Sequence, residues 1–114
     1  MSIIGMTEGG MKVYVWVMYD ISVQKKRARI AGHCKDFGLI RFQKSIFLGE
    51  TDKNAVSLLA GLIMESFEQK EEGDTEEDSV LIFTIGDHLL DNIVVLGKGF
   101  AEDEFRKPRV LIIG

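Results

Sequence analysis

Only one cysteine, Cys34, occurs in the 114 residues, so no internal disulfide can form and packing alone must hold the fold. That sparing use of cysteine suits a reducing, cytoplasmic setting. Proline is equally scarce, a lone Pro108, and with 46% hydrophobic residues the composition describes one compact domain. No apolar run approaches the roughly 18 residues that cross a bilayer, so a membrane protein is not expected. The N-terminus lacks the charged-then-apolar pattern of a secretory leader. Internal repeats and low-complexity linkers are missing as well. The expected organisation is a flexible lead-in over residues 1–10 (MSIIGMTEGG) and a single domain over 11–114, with a strand-bearing tail from about residue 91. A chain of this size buries only about two-thirds of its unfolded surface, so self-association would help it.

An excess of positive charge is also missing, since the net charge is −4, and that alone argues against a nucleic-acid binder. The average hides a dipole. Between Ile21 and Ser45 stand seven cations (Lys25, Lys26, Arg27, Arg29, Lys35, Arg41, Lys44) against Asp36 alone; between Glu65 and Asp78 stand eight acids against Lys70. Screening confines each field to about a nanometre, so a local basic surface can bind phosphate on an acidic protein. Solvated helix faces of opposite sign are the commoner origin of such runs.

The stretch VWVMYDIS, residues 15–22, ends an apolar and aromatic run on a carboxylate, Asp20. Lys12 to Tyr19 reads as a strand buried on both faces. Ser22 fits an N-cap, and Val23, Arg27, Ile30, Ala31 and Cys34 form one helical stripe up to Phe37 and a C-terminal Gly38. An arginine on that stripe must lay its stem on the core and find a partner for its head. Leu39 to Glu50 (LIRFQKSIFLGE) is long for one strand; it is one bent strand, or two joined at a bulge near Gln43 and Lys44. Asp52 offers a second N-cap, and Ala55, Val56, Leu59, Leu62, Ile63 and Phe67 recur at helical spacing. An acidic loop over residues 71–78 then leads to the strand SVLIFTI at 79–85, with strand-like IVVLG at 93–97 and RVLIIG at 109–114.

This order gives an α+β fold with two helices on one face of a sheet. With two strands in Leu39 to Glu50 it becomes the ferredoxin-like βαββαβ unit with an extra C-terminal strand. The second face of that sheet is apolar and open, which predicts a homodimer through the sheet.

YDIS at 19–22, R-A-R at 27–29 and GLIRFQKSIFLG at 38–49 together resemble the small CRISPR-associated Cas-two family over about residues 12–50. The resemblance implies a cytoplasmic ferredoxin-like homodimer that joins the CRISPR integrase, the Cas-one protein, in spacer acquisition. It further implies binding of duplex DNA and of single-stranded RNA, and in several members a metal-dependent endonuclease activity on RNA or DNA. In these terms Asp20 matches a strand-end aspartate whose two copies share one Mg²⁺ or Mn²⁺ per dimer, Arg27, Arg29 and Arg41 match arginines near that site or the nucleic acid, and Phe47 matches a family aromatic.

Each candidate has a plainer reading beside it. Mg²⁺ wants hard oxygens and is commonly held by one or two carboxylates plus phosphates, which suits Asp20 at a dimer axis; a helix cap or a salt bridge to Arg27 or Arg41 would explain the same carboxylate. In the catalytic reading Asp20 holds metal and Arg41 steadies charge on the phosphate. Arginine's planar fork suits phosphate, so Lys25, Lys26 and Arg29 are expected to form an exposed cationic face, with Arg41, Lys44 and Ser45 adding contacts. Arg27 is expected to support the core or the Asp20 site, and Phe47 to pack in the core or dimer face. His33 and His88 have no second ligand at usable spacing. Cys34, on the apolar stripe, reads as a small buried hydrophobe, and the GKG at 97–99 as a turn. The principal reading is a dimeric nucleic-acid-binding scaffold for spacer integration; a nuclease, toxin-like or otherwise, and a small-molecule-sensing dimer are the alternatives on the same fold.

Overall fold

The computed structural model describes residues 12–86 in full and the backbone of two further strands, 93–96 and 110–113. The expected lead-in over residues 1–10, His88 and the GKG turn lie outside the described residues. Strands β1 (Lys12–Asp20), β2 (Ile40–Gln43), β3 (Ile46–Asp52) and β4 (Ser79–Ile85) form one antiparallel sheet in the order β2-β3-β1-β4. Helix α1 (Gln24–Asp36) links β1 to β2, and α2 (Lys53–Glu68) links β3 to β4. This is the ferredoxin-like βαββαβ arrangement. The tail strands β5 (Ile93–Leu96) and β6 (Val110–Ile113) pair in parallel as a separate two-stranded sheet, in place of one extra strand. Among the described residues no helix is long and apolar enough to cross a membrane.

Strand β1 is paired along both edges, with Val17 opposite Phe47 on β3 and Ile82 on β4. Its side chains therefore alternate between two covered directions. Val15, Val17 and Tyr19 face the helices and join Ile30, Ala31, Cys34, Phe47, Leu59 and Ile63 in the main core. Tyr14 and Trp16 belong to the other face, where Trp16 stacks on Phe83 at 5.8 Å and meets Phe42 edge-on at 6.3 Å. That second face carries Leu81 and Phe83 at 54% and 39% exposure, so it is apolar and only partly covered.

Local chemistry fixes the ends of the helices. Gly38 adopts φ +82°, a conformation costly for any side chain, and the amides of Gly38 and Leu39 return to the carbonyls of Lys35 and Cys34 at 2.9 and 3.0 Å. This closes α1 and drops Leu39 into the core beside Cys34. The Asp52 carboxylate accepts from the Ala55 amide at 2.9 Å and starts α2 as expected. Ser22 does not cap α1. The residue before the helix is Val23, extended and without a side-chain cap, while the Ser22 hydroxyl donates to Asp78 at 2.8 Å.

The buried stripe of α1 is also turned from expectation. Lys26, Ile30, Ala31 and Cys34 are buried, whereas Arg27 is only partly covered. On α2 the buried positions are Leu59, Ile63 and Ser66, and Leu62 is 37% exposed instead of packed. Leu39 to Glu50 resolves as two strands, with a register shift between Arg41 and Gln43 and a turn at Lys44 and Ser45.

Leu59→Ala empties part of a fully packed core and should cost about 2–5 kcal/mol. Asp52→Ala removes a single cap and should cost about 1 kcal/mol. Urea denaturation of the two variants checks this ranking, and equal losses would contradict it.

Candidate functional site

Asp20 closes β1 opposite Ser79, so the alternation that sends Tyr19 to the helices sends Asp20 to the open face with Trp16 and Met18. It is exposed at the rim of a depression of about 370 Å³ that it shares with Met18, Tyr19, Ser45, Ile46, Ser79 and Leu81. Among the described residues the Asp20 carboxylate makes no hydrogen bond or ion pair. The helix-cap alternative is not realised, since Val23 precedes α1. Nor are the salt bridges: Arg27 donates to the carbonyls of Ile21 and Ser22 at 2.8 and 3.0 Å, and Arg41 to that of Lys44 at 2.8 Å. An accessible, unengaged carboxylate is a hard donor suited to a hydrated divalent cation. Among the described residues no cluster of three or more metal-ligating side chains occurs, and Asp20 is the one carboxylate among the residues that line its depression.

On the helix side of the same strand end lies a cationic cleft of about 240 Å³, lined by Arg27, Arg41 and Lys44 with Tyr19, Gln24 and Ser45. Arg41 is exposed, yet its guanidinium is held in place. It stands 4.9 Å from the ring centre of Phe47 and straps the β2–β3 turn through the Lys44 carbonyl. Phe47 is fully buried and stacks at 6.5 Å on Tyr19, a packing position. Burial pushes the Tyr19 phenol up, with Arg41 acting in the opposite sense, so the hydroxyl keeps its proton at neutral pH. The two depressions share only Tyr19 and Ser45. Asp20 and Arg41 therefore do not form one constellation within a protomer.

The expected exposed face of Lys25, Lys26 and Arg29 needs correcting. Lys26 is 3% exposed, with Nζ 2.9 Å from both the Phe67 carbonyl and Asp74 and 5.5 Å from the Phe67 ring. Glu71 meets Arg29 at 3.0 Å and Lys25 at 3.7 Å. The acidic loop is thus docked on α1, in place of the two separately solvated charge runs that are the commoner case. The signal is present as the two opposed charge runs, but their pairing needs contacts more than forty residues apart.

His33 shares a 3.1 Å hydrogen bond with buried Ser66, a bridge between the helices. Burial pushes the Cys34 thiol up to about 12, which leaves it protonated and inert as a nucleophile.

A sequence model of the family described as CRISPR associated protein Cas2 matches residues 11–93. A stretch of 56 residues is 36% identical to a CRISPR-associated endonuclease Cas1/endonuclease Cas2 fusion from Thermoproteus tenax, covering 49% of this chain and 21% of the fusion. The match thus spans about a fifth of that relative's length. A solved structure described as a crystal structure of cas2 superposes with a TM-score of 0.59 at 27% identity, over 79% of this chain and 92% of the other.

The docked acids carry a pH signature. The hydrogen bond from Arg29 holds the Glu71 carboxyl low, and the Glu71 amide, then Lys26, does the same for Asp74. Partial burial pulls Asp78 upward, but hydrogen bonds from Ser22 and Thr75 outweigh it. Groups whose folded pKa lies below the unfolded value add stability above the ordinary carboxylate range, near pH 4, and lose it as pH falls through the depressed folded value. The urea midpoint should therefore drop below about pH 4, and Asp74→Asn should be less stable at neutral pH with a shallower acid slope. An unchanged slope would contradict the docking.

Proposed function

The chain belongs to the CRISPR-associated Cas2 family, and on that premise we propose that it acts as a homodimeric, nucleic-acid-binding scaffold of CRISPR adaptation, working with the Cas1 integrase. The observation that carries the reading is Asp20, an unengaged carboxylate at the rim of an open apolar sheet face. Covering that face with anything that leaves the charge unmatched would be costly. A two-fold contact with a second copy would bury Leu81 and Phe83 and bring two Asp20 side chains toward one axis, where a divalent cation held by both would match their charge. The indole Nε1 of Trp16 on the same face is buried and has no hydrogen-bond partner among the described residues, which adds a polar group for a second copy to satisfy. The Thermoproteus tenax relative, whose name joins Cas1 and Cas2 in one chain, supports the integrase as partner.

In this reading the cleft of Arg27, Arg41 and Lys44 receives backbone phosphates. Arg41 presents its fork already oriented by Phe47 and Lys44, so little side-chain freedom is lost on binding. Arg27 is committed to the Ile21 and Ser22 carbonyls and shapes the wall of the cleft. Ser45 lines this cleft and offers its hydroxyl to a phosphate bound there. A bound Mg²⁺ or Mn²⁺ between two Asp20 carboxylates would supply positive charge against phosphodiester oxygens and a more acidic water. Asp20 lies on the opposite face from Arg41, and this separation favours binding over cleavage as the primary role.

Gel shifts and cleavage assays on labelled duplex DNA and single-stranded RNA, with Mg²⁺, Mn²⁺ or chelator, test the proposal. Duplex binding should survive Asp20→Asn and weaken about tenfold or more in Arg41→Ala/Lys44→Ala, where two phosphate contacts are lost. Any cleavage should need metal and vanish in Asp20→Asn. Undiminished binding by the double variant would remove the cleft from the account.

A further inference from the structure

We propose that Glu71 is a built-in stand-in for a nucleic-acid phosphate, an autoinhibitory contact that withholds Arg29 and Lys25 of α1 until a polyanion displaces it. The inference rests on the nucleic-acid reading above and adds its regulation. The two carboxylate oxygens of Glu71 reach different cations one helical turn apart, Oε2 to Arg29 at 3.0 Å and Oε1 toward Lys25 at 3.7 Å. A phosphate with two anionic oxygens would occupy the same place. Glu71 is the more sheltered member of the group, its side chain 16% exposed against 32% for Arg29 and 70% for Lys25.

The seat of Glu71 is firm while its grip is incomplete. Its amide donates to Asp74 at 2.9 Å, Asp74 pairs with buried Lys26, and Lys26 is anchored on the Phe67 carbonyl. Gly73, at φ +104°, supplies the reversal between Glu71 and Asp74. These contacts hold the loop on α1 without using the Glu71 carboxylate. Arg29, in contrast, engages Glu71 through Nη2, and its Nε is buried without an acceptor among the described residues. The guanidinium fork is half used. A phosphate that took Nε and Nη2 in parallel would satisfy both, a bidentate geometry that Glu71 does not reach here. Partly exposed ion pairs contribute little stability, so a multiply charged strand with further contacts at the Arg41 cleft has the advantage in the exchange. Glu71 then leaves by side-chain rotation while the Asp74–Lys26 tether stays.

Fluorescence anisotropy with duplex DNA across a salt series tests this. Glu72 is exposed, adjacent and in no ion pair among the described residues, so Glu72→Gln makes the same change in net charge without removing a contact to the α1 cations. Glu71→Gln should tighten binding about threefold or more and steepen the salt dependence by roughly 0.9 for each further phosphate neutralised, with a smaller change in Glu72→Gln. Glu71→Gln/Arg29→Ala should lose that improvement. If the wild type binds but Glu71→Gln is no tighter than Glu72→Gln, the contact is structural and the proposal fails while the nucleic-acid reading stands. If no variant binds duplex DNA or single-stranded RNA even at low salt, both fall. Independently of any variant, hydrogen exchange at Arg29 Nε and in the 71–74 turn of the wild type should change on adding DNA; unaltered exchange in the bound protein would overturn the proposal.

Discussion

Strand β1 is hydrogen-bonded along both edges, and its residues have no freedom but to alternate between the two faces of the sheet. Odd positions from Val13 to Tyr19 turn to the helices and build the core; even positions from Tyr14 to Asp20 turn to the other face. A one-residue slip would put Trp16 among the helices and Val17 on the open face, so packing enforces the register as strongly as hydrogen bonding does. The exposed position of Asp20 follows from this. Its carboxylate ends an otherwise apolar row because β1 ends there, opposite Ser79 where β4 begins and beside the turn at Ser45.

A second layer of organisation is electrostatic and acts across α1. Its cations are sorted by depth: Lys26 is buried and neutralised by Asp74, Arg29 and Lys25 are bridged by Glu71, and Arg41 and Lys44 from β2 and the β2–β3 turn remain open to solvent. The acidic balance of the whole chain therefore says little about the cleft. Two of the loop acids, Glu71 and Asp74, are already matched by cations of α1, so they oppose a bound phosphate less than the net charge suggests.

Features set by neighbours in sequence are legible without the structure. The Asp52 cap, the Gly38 terminus and the doubled strand in Leu39 to Glu50 each depend on contacts a few residues apart. Ser22 has the spacing of a cap but does not act as one, because its partner, Asp78, lies 56 residues away and competes for the hydroxyl. Apolar spacing sets the stripe of α1 on Arg27 because it cannot register a lysine that is buried by a distant aspartate. The separation of Asp20 from Arg41 is concealed differently. Alternation gives the face of Asp20 directly, but the register shift between Arg41 and Gln43 breaks the same count on β2, so the faces of the two strands cannot be matched by spacing. The family resemblance supplies the residues of interest, and the fold supplies which of them share a surface.

A second copy covering the open sheet face and setting the two Asp20 positions side by side is the central claim. Chemical crosslinking tests it most directly: Asp20→Cys treated with a short thiol-specific reagent at low protein concentration, with Lys53→Cys at the opposite end of the sheet as the control. Cys34 is buried with a protonated thiol and should stay silent. The account predicts a covalent dimer with Asp20→Cys and little with Lys53→Cys. Monomer alone from both, or equal crosslinking from both, would contradict it.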